Sequence, residues 1–257
     1  MAFVLPFTVP NPPINLVDID AILGAVPGVV SFHTVYQAKA VISATASRVP
    51  ARIGGVDMVL DLTANAGTAT AAAARWVKDG PCNIADFLRG VDRYKAVLPT
   101  PGNVFTILER GYCGRVGQTD NTGGVSWAIN FGTFQIRGVP LFNGASGVAV
   151  GTSGFTSMVT GAAIDEKLYY AATVVDLTNK KVSMCVNASA TTAWVTKDVA
   201  ALATQTVTSV TLDFGGAANQ VVAGPVSDLA LFAGDIRTTA PNLMARWENY
   251  AKTAYVG

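Results

Sequence analysis

The stretch Leu168-Tyr-Tyr-Ala-Ala-Thr-Val-Val-Asp-Leu-Thr-Asn-Lys-Lys-Val-Ser-Met-Cys-Val-Asn187 decides how the rest of this chain is read. Leu168 to Leu177 is a long apolar run, and Thr178, Asn179 and Lys180 form a polar break after it. Val182, Met184 and Val186 then alternate with Ser183, Cys185 and Asn187. Two such runs across a short turn predict a β-hairpin. The same period of two recurs outward from it. Val125, Trp127, Ile129 and Phe131 alternate with Ser126, Ala128 and Asn130, the pattern of a half-buried strand. Val210, Leu212 and Phe214 alternate with Thr211 and Asp213 until Gly215 and Gly216 interrupt, and Val226 to Phe232 is closed by Gly234. Further strands are predicted at Val56–Leu62, Ala69–Val77, Tyr94–Leu98, Val104–Arg110 and Thr133–Gly138. Strands at this spacing, parted by Gly, Pro, Asn and Asp, predict an all-β sandwich or barrel.

The two ends break the pattern. Residues 1–29 form an apolar arm in which Pro6, Pro10, Pro12, Pro13 and Pro27 punctuate Phe3, Leu5 and Phe7. Proline fixes φ and removes a donor, so the arm is expected to run extended, with one helical turn between Asn15 and Gly24. Such an arm needs a surface to lie on, either its own domain or a neighbouring subunit, and Phe3, Leu5 and Phe7 are its candidate assembly residues. Residues 30–257 are read as the sandwich, ending in a helix. Thr239 precedes Pro241, and proline suits a first helical turn. Leu243, Trp247, Tyr250 and Ala254 then recur on one helical face.

Composition bounds the function. The chain has 257 residues, 14% charged and 50% hydrophobic, with a formal net charge of +1. Mean hydropathy is +0.37, yet no apolar run approaches the roughly 20 residues of a spanning helix, so no membrane insertion is expected. The apolar excess suits a subunit or partner interface, and a homo-oligomer is expected. No basic stripe is visible, which argues against nucleic acid as a partner. Cys82, Cys113 and Cys185 form no CxxC pair and predict neither a zinc site nor a disulfide framework. The N-terminus lacks the basic flank and apolar run of a secretory signal peptide.

The order of the last ninety residues resembles the concanavalin A-like, laminin-G-like jelly roll. A strand leads into the hairpin ending at Asn187, and a polar stretch and a strand into Gly215-Gly216 follow. Then come Gly224-Pro-Val-Ser-Asp-Leu-Ala-Leu-Phe232 and the terminal helix. The resemblance implies a jelly-roll β-sandwich with an extended N-terminal arm and a short C-terminal α-helix. It also implies a bacteriophage virion component, either a tail or fibre receptor-binding protein or a head decoration protein. Such a protein would be assembled in the host cytoplasm, partnered by other virion proteins and meeting a host-surface glycan. A lectin-like module without virion assembly and a glycan-degrading enzyme are the alternatives.

The residues themselves offer little catalytic chemistry. His33 is the only histidine, which leaves no multi-histidine metal site and one possible centre for a serine triad. No GxSxG, HExxH or GxxxxGK[ST] occurs. Glycosidases need two carboxylates about 5–9 Å apart, and residues i and i+2 of one strand are about 7 Å apart. Glu109, Glu166 and Glu248 are the only glutamates, and none has a same-face carboxylate at i+2 or i+4. The sequence therefore predicts binding and assembly, not catalysis, with no cofactor. Asp120, Asn121, Gly123 and Gly124 form an oxygen-rich loop, read as a β-turn in preference to a calcium site. A sugar site needs an exposed aromatic platform beside polar groups. Trp127 shares its face with apolar residues and reads as core, whereas Trp194, beside Lys197 and several threonines, is the candidate ligand-binding ring.

Overall fold

The computed structural model describes residues 16–34, 48–60, 76–79, 82–87, 94–113, 126–142, 145–151, 155–160, 167–186, 194–214 and 224–253. After a helix α1 (Leu16–Gly24) come β1 (Val29–Thr34), β2 (Arg48–Val49), β3 (Ala51–Ile53), β4 (Met58–Leu60), β5 (Trp76–Asp79) and β6 (Cys82–Phe87). The middle of the chain forms β7 (Tyr94–Pro99), β8 (Val104–Cys113), β9 (Trp127–Phe131), β10 (Phe134–Phe142), β11 (Ala145–Val150) and β12 (Phe155–Thr160). Then follow β13 (Lys167–Asp176), β14 (Lys181–Val186), β15 (Val195–Asp198), β16 (Ser209–Phe214), β17 (Gly224–Ala233), α2 (Ile236–Thr239) and α3 (Leu243–Thr253).

These strands make two antiparallel sheets. The first runs β15-β14-β13-β8-β17-β1-β3, with β6 joining β17 and carrying β5. The second runs β12-β11-β10-β9-β16-β7-β4-β2. The expected all-β sandwich is what the chain forms. The deciding hairpin is in register from Ala171↔Val186 to Asp176↔Lys181. Its first strand stops one residue before the apolar run does, because Leu177 turns into the core, fully buried, while its N–H donates to the Asn103 carbonyl at 2.8 Å. Asp176 closes the turn by accepting from the Asn179 backbone N–H at 2.8 Å and from its side-chain amide at 2.7 Å.

Alternation decides which residues fill the sandwich. Phe105, Ile107, Leu229, Leu231, Val182 and Met184 of the first sheet meet Trp127, Ile129, Phe131, Leu212 and Leu98 of the second in one buried cluster. The indole of Trp127 lies against Gly138 opposite it in the ladder, so close that a Cβ there would fall 2.2 Å from the ring. The alternate residues of the first sheet, Phe32, Leu108, Ala230 and Phe232, form a second cluster on its other face, covered by Ile19 and Leu23 of α1 and Leu243, Met244, Trp247 and Tyr250 of α3. Phe32 and Trp247 meet edge to face, their ring centroids 6.4 Å apart. The helical part of the arm is thus bound to the sheet by residues at i and i+4. It stops at Gly24 before Pro27, and Gly28 then takes φ +83° where a Cβ would sit 2.6 Å from the Ala233 carbonyl. Phe3, Leu5 and Phe7 lie outside the described residues, as do Asp120, Asn121 and Glu166.

Polar ties fix α3 in place. Arg110 of β8 and Asp228 of β17 are register partners, both fully buried, and form an ion pair under the helix. Tyr250 lies above them with its ring centroid 4.4 Å from the guanidinium carbon. Its hydroxyl accepts from Arg110 Nη2 at 3.3 Å and donates to Asp228 Oδ2 at 3.3 Å. Tyr170 donates to Glu248 Oε1 at 3.1 Å. Glu248 therefore helps to hold the helix down, a contact that its place beside the apolar stripe did not announce.

Candidate functional site

With α1 and α3 covering the first sheet, the outward face of the second sheet is where polar chemistry collects. Alternation sends Trp127, Ile129, Leu212 and Ile136 inward, so Ala128, Asn130, Asp213, Gln135 and Arg137 point the other way. The ladder aligns them in rows across the strands. One row runs Phe155, Ala149, Arg137, Ala128, Asp213 and Lys95 from β12 to β7. The next, two residues along each strand, holds Gln135, Asn130, Thr211 and Val97.

The rows are joined by side-chain hydrogen bonds. Gln135 Nε2 donates to Asn130 Oδ1 at 2.6 Å, and Asn130 Nδ2 donates to Asp213 Oδ2 at 2.6 Å and to the Thr211 carbonyl at 3.4 Å. Donation in one direction sets both amides: each turns its NH2 towards the Asp213 end of the chain of bonds and its carbonyl towards the opposite end. Asn130 and Gln135 are half-buried, whereas Asp213 is fully buried and Arg137 is 7% exposed. Arg137 Nη2 reaches along its strand to the Gly151 carbonyl at 2.6 Å, in the row of Gln135. Burial lowers its pKa below that of a free guanidinium, though not far enough to discharge an arginine. Beside it Ala128 and Val139 form a small apolar cluster with the half-buried ring of Phe155. That ring lies over Gly147, where a Cβ would fall 2.7 Å from it. The face therefore combines two oriented amides, a carboxylate, a guanidinium and an aromatic ring.

Trp194 and Lys197 lie elsewhere, and the structure does not bring them together. Trp194 immediately precedes β15 and Lys197 lies within it, three residues on, so the two face opposite sides. Trp194 is half-buried against the helix-covered face, with the Arg237 guanidinium carbon 5.2 Å from its ring centroid. Lys197 turns to the second sheet and donates to the Ser157 carbonyl of β12 at 2.5 Å. Sequence reasoning passed over Asn130, Gln135 and Arg137. A signal was present in Asn130 and Asp213, which are the polar members of alternating strands, but their adjacency depends on β9 pairing with the distant β16.

His33 is fully buried on β1, its Nε2–H donating to the Val56 carbonyl at 2.8 Å. It is a packed residue and not part of this face. Cys185 is a buried free thiol. Among the described residues no cluster of three or more His, Cys, Asp or Glu could hold a metal, and no helix is long and apolar enough to cross a membrane.

No protein-family model and no curated protein sequence matches the chain. Solved structures do. A Trypanosoma rangeli sialidase mutant displaying trans-sialidase activity superposes with a TM-score of 0.52 and 10% identity, over 93% of this chain and 37% of that one. The Trypanosoma rangeli sialidase in complex with 2,3-difluorosialic acid gives 0.51 and 11%, over 90% and 33%. A protein described as the HCR/D W1238A mutant gives 0.53 and 6%, over 89% and 52%. The chain spans about a third of the length of these sialidases.

These likenesses correct one expectation. Structures of this fold include sialidases, which are enzymes, so the reading of the chain as non-enzymatic does not stand. A carboxylate pair drawn from two different strands was the exception that the single-strand pattern left open, and the ladder does set side chains of different strands in one row. What the sequence and the structures agree on is the architecture: an all-β sandwich of two antiparallel sheets.

Proposed function

We propose that this chain is a carbohydrate-recognising β-sandwich that takes its ligand on the outward face of the second sheet. The observation that carries the reading is the Gln135–Asn130–Asp213 chain of hydrogen bonds, lying on the same sheet face as the Phe155 ring. Sugar hydroxyls both donate and accept, and amides whose orientation is already fixed lose little freedom when they bind them. A half-buried ring supplies the apolar surface on which a pyranose face stacks. The likeness to a sialidase solved with difluorosialic acid supports a glycan as the ligand class, through fold and not through shared residues.

The test is a glycan array followed by calorimetry on the wild type and on Asn130→Ala. Binding that falls at least about tenfold in the variant, with the chain still folded at the assay temperature despite the roughly 1–3 kcal/mol lost with a donor to the buried Asp213, is the expected result. Absence of binding to any glycan class overturns the proposal. Release of reducing ends from the bound glycans reads hydrolysis in the same samples.

The setting we propose, an oligomeric virion protein meeting a host-surface glycan, rests on the strand-order resemblance and the low charge. None of the three structures named above is described as a virion protein. Finding the chain by mass spectrometry in purified particles tests that setting, and its absence from them overturns it.

A further inference from the structure

Two of the described arginines are buried in this sandwich, and the chain treats them differently. Arg110, on the first sheet, is fully enclosed and has Asp228 as its ion-pair partner and Tyr250 above it. Arg137, on the second sheet, is 7% exposed, and among the described residues its hydrogen-bond partner is the Gly151 carbonyl. Its Nε–H is buried with no acceptor, and it forms no ion pair with a described carboxylate. Its register neighbours on either side, Ala149 and Ala128, carry only methyl groups and offer it no counter-charge. A neutral donor would serve the Gly151 carbonyl equally well. A guanidinium removed from water without a counter-charge is unfavourable unless an anion arrives to pair with it.

We infer that Arg137 is the anion-recognising residue of this face and that the glycan it selects carries a carboxylate or sulfate group. The inference rests on the proposed reading of the face as a sugar site. Arginine's planar fork matches both kinds of oxyanion. The layout of the face also orients the ligand. Asp213 stands two strands from Arg137, roughly 10 Å away at the strand spacing, and its carboxylate accepts from hydroxyls but offers no donor to an anion. The anionic group therefore sits at the β10–β12 side, beside Arg137 and Phe155, and the sugar hydroxyls extend towards Asn130 and Asp213. Burial alone depresses the Arg137 pKa, with no nearby charge contributing, in keeping with a cation whose partner comes from outside the chain.

The experiment compares the wild-type chain on matched pairs of glycans: sialyllactose against lactose, trigalacturonate against its methyl ester, and a sulfated chondroitin tetrasaccharide against its desulfated form. At least one acidic member is expected to bind about ten times more tightly than its neutral or less charged partner, the gain a charge-assisted fork supplies. The first two pairs distinguish carboxylate from the sulfate read by the third. Arg137→Gln should abolish the preference, so that the two members of the pair bind alike, and Arg137→Lys should keep part of it. Equal binding within every pair by the wild type overturns the inference, with no variant required, and leaves the sugar-site reading standing. A preference for acid that survives Arg137→Gln overturns the assignment to Arg137. Failure to bind glycan of either kind overturns the reading of the face itself.

Discussion

Arg110 stands directly opposite Asp228 in the β8–β17 ladder, and Tyr250 of the terminal helix closes over the pair. Its hydroxyl is acceptor to one and donor to the other. Tyr250→Phe keeps the ring and removes both bonds, so it should cost about 1–2 kcal/mol. Asp228→Ala leaves a buried guanidinium without its partner and should cost about 3–5 kcal/mol. Urea unfolding measures both, and equal losses for the two variants would show that the ion pair contributes nothing beyond the hydroxyl.

His33 makes stability depend on pH. Burial lowers its pKa, outweighing the Val56 hydrogen bond and the Asp57 charge, which act upwards. The folded state thus refuses a proton that the unfolded chain accepts below about pH 6.5. The stability contributed is fully present above that pH and is lost as pH falls towards the depressed folded value, by up to about 1.4 kcal/mol per pH unit. His33→Leu should remove this part of the slope between about pH 7 and 5, in a comparison of urea midpoints with the wild type. Parallel profiles would contradict it.

Gly138 faces the sandwich interior beneath the Trp127 indole. Ala at this position forces the ring or the strand to move, and overpacking of this kind costs about 1–3 kcal/mol. Gly138→Ala should lower the thermal midpoint and alter the near-ultraviolet circular dichroism of the buried tryptophan. An unchanged midpoint would mean that the two sheets yield to a methyl group.

Lys180 is the only described non-glycine residue with positive φ, at 56°, in the turn of the hairpin. A side chain in the left-handed region costs about 1–2 kcal/mol, part of which glycine returns in the entropy of the unfolded chain. Lys180→Gly should stabilise by about 0.5 kcal/mol. Lys180→Val should destabilise by more than that, and urea unfolding reads both. A glycine variant less stable than the wild type would contradict the assignment of strain to this turn.

The legible part of this fold was the part encoded by near neighbours. The hairpin around Thr178–Lys180, the alternation of Trp127, Ile129 and Phe131, and the helix stripe at Leu243, Trp247 and Tyr250 each needed only a local period. β11 and β12 were missed because Ala145, Gly147 and Ala149 on one side, and Thr156 and Ser157 on the other, give weak hydrophobic contrast. The candidate site was illegible for a different reason. Asn130, Gln135 and Asp213 look like ordinary outward-facing polar residues until the β9–β16 ladder sets two of them side by side. Trp194 drew attention as a large ring among polar residues, but the cover over the first sheet extends far enough to hold it.

Lys197 has a consequence for how copies of this chain meet. It belongs to the outermost strand of one sheet and grips the backbone of the outermost strand of the other, so that side of the sandwich is laced shut. Thr196, Lys197 and Asp198 are also exposed there. A neighbouring strand seeking to extend either sheet at that flank meets a fastened seam and a charged border, features that deter strand addition. Association at that flank would have to proceed by side chains, without a shared ladder.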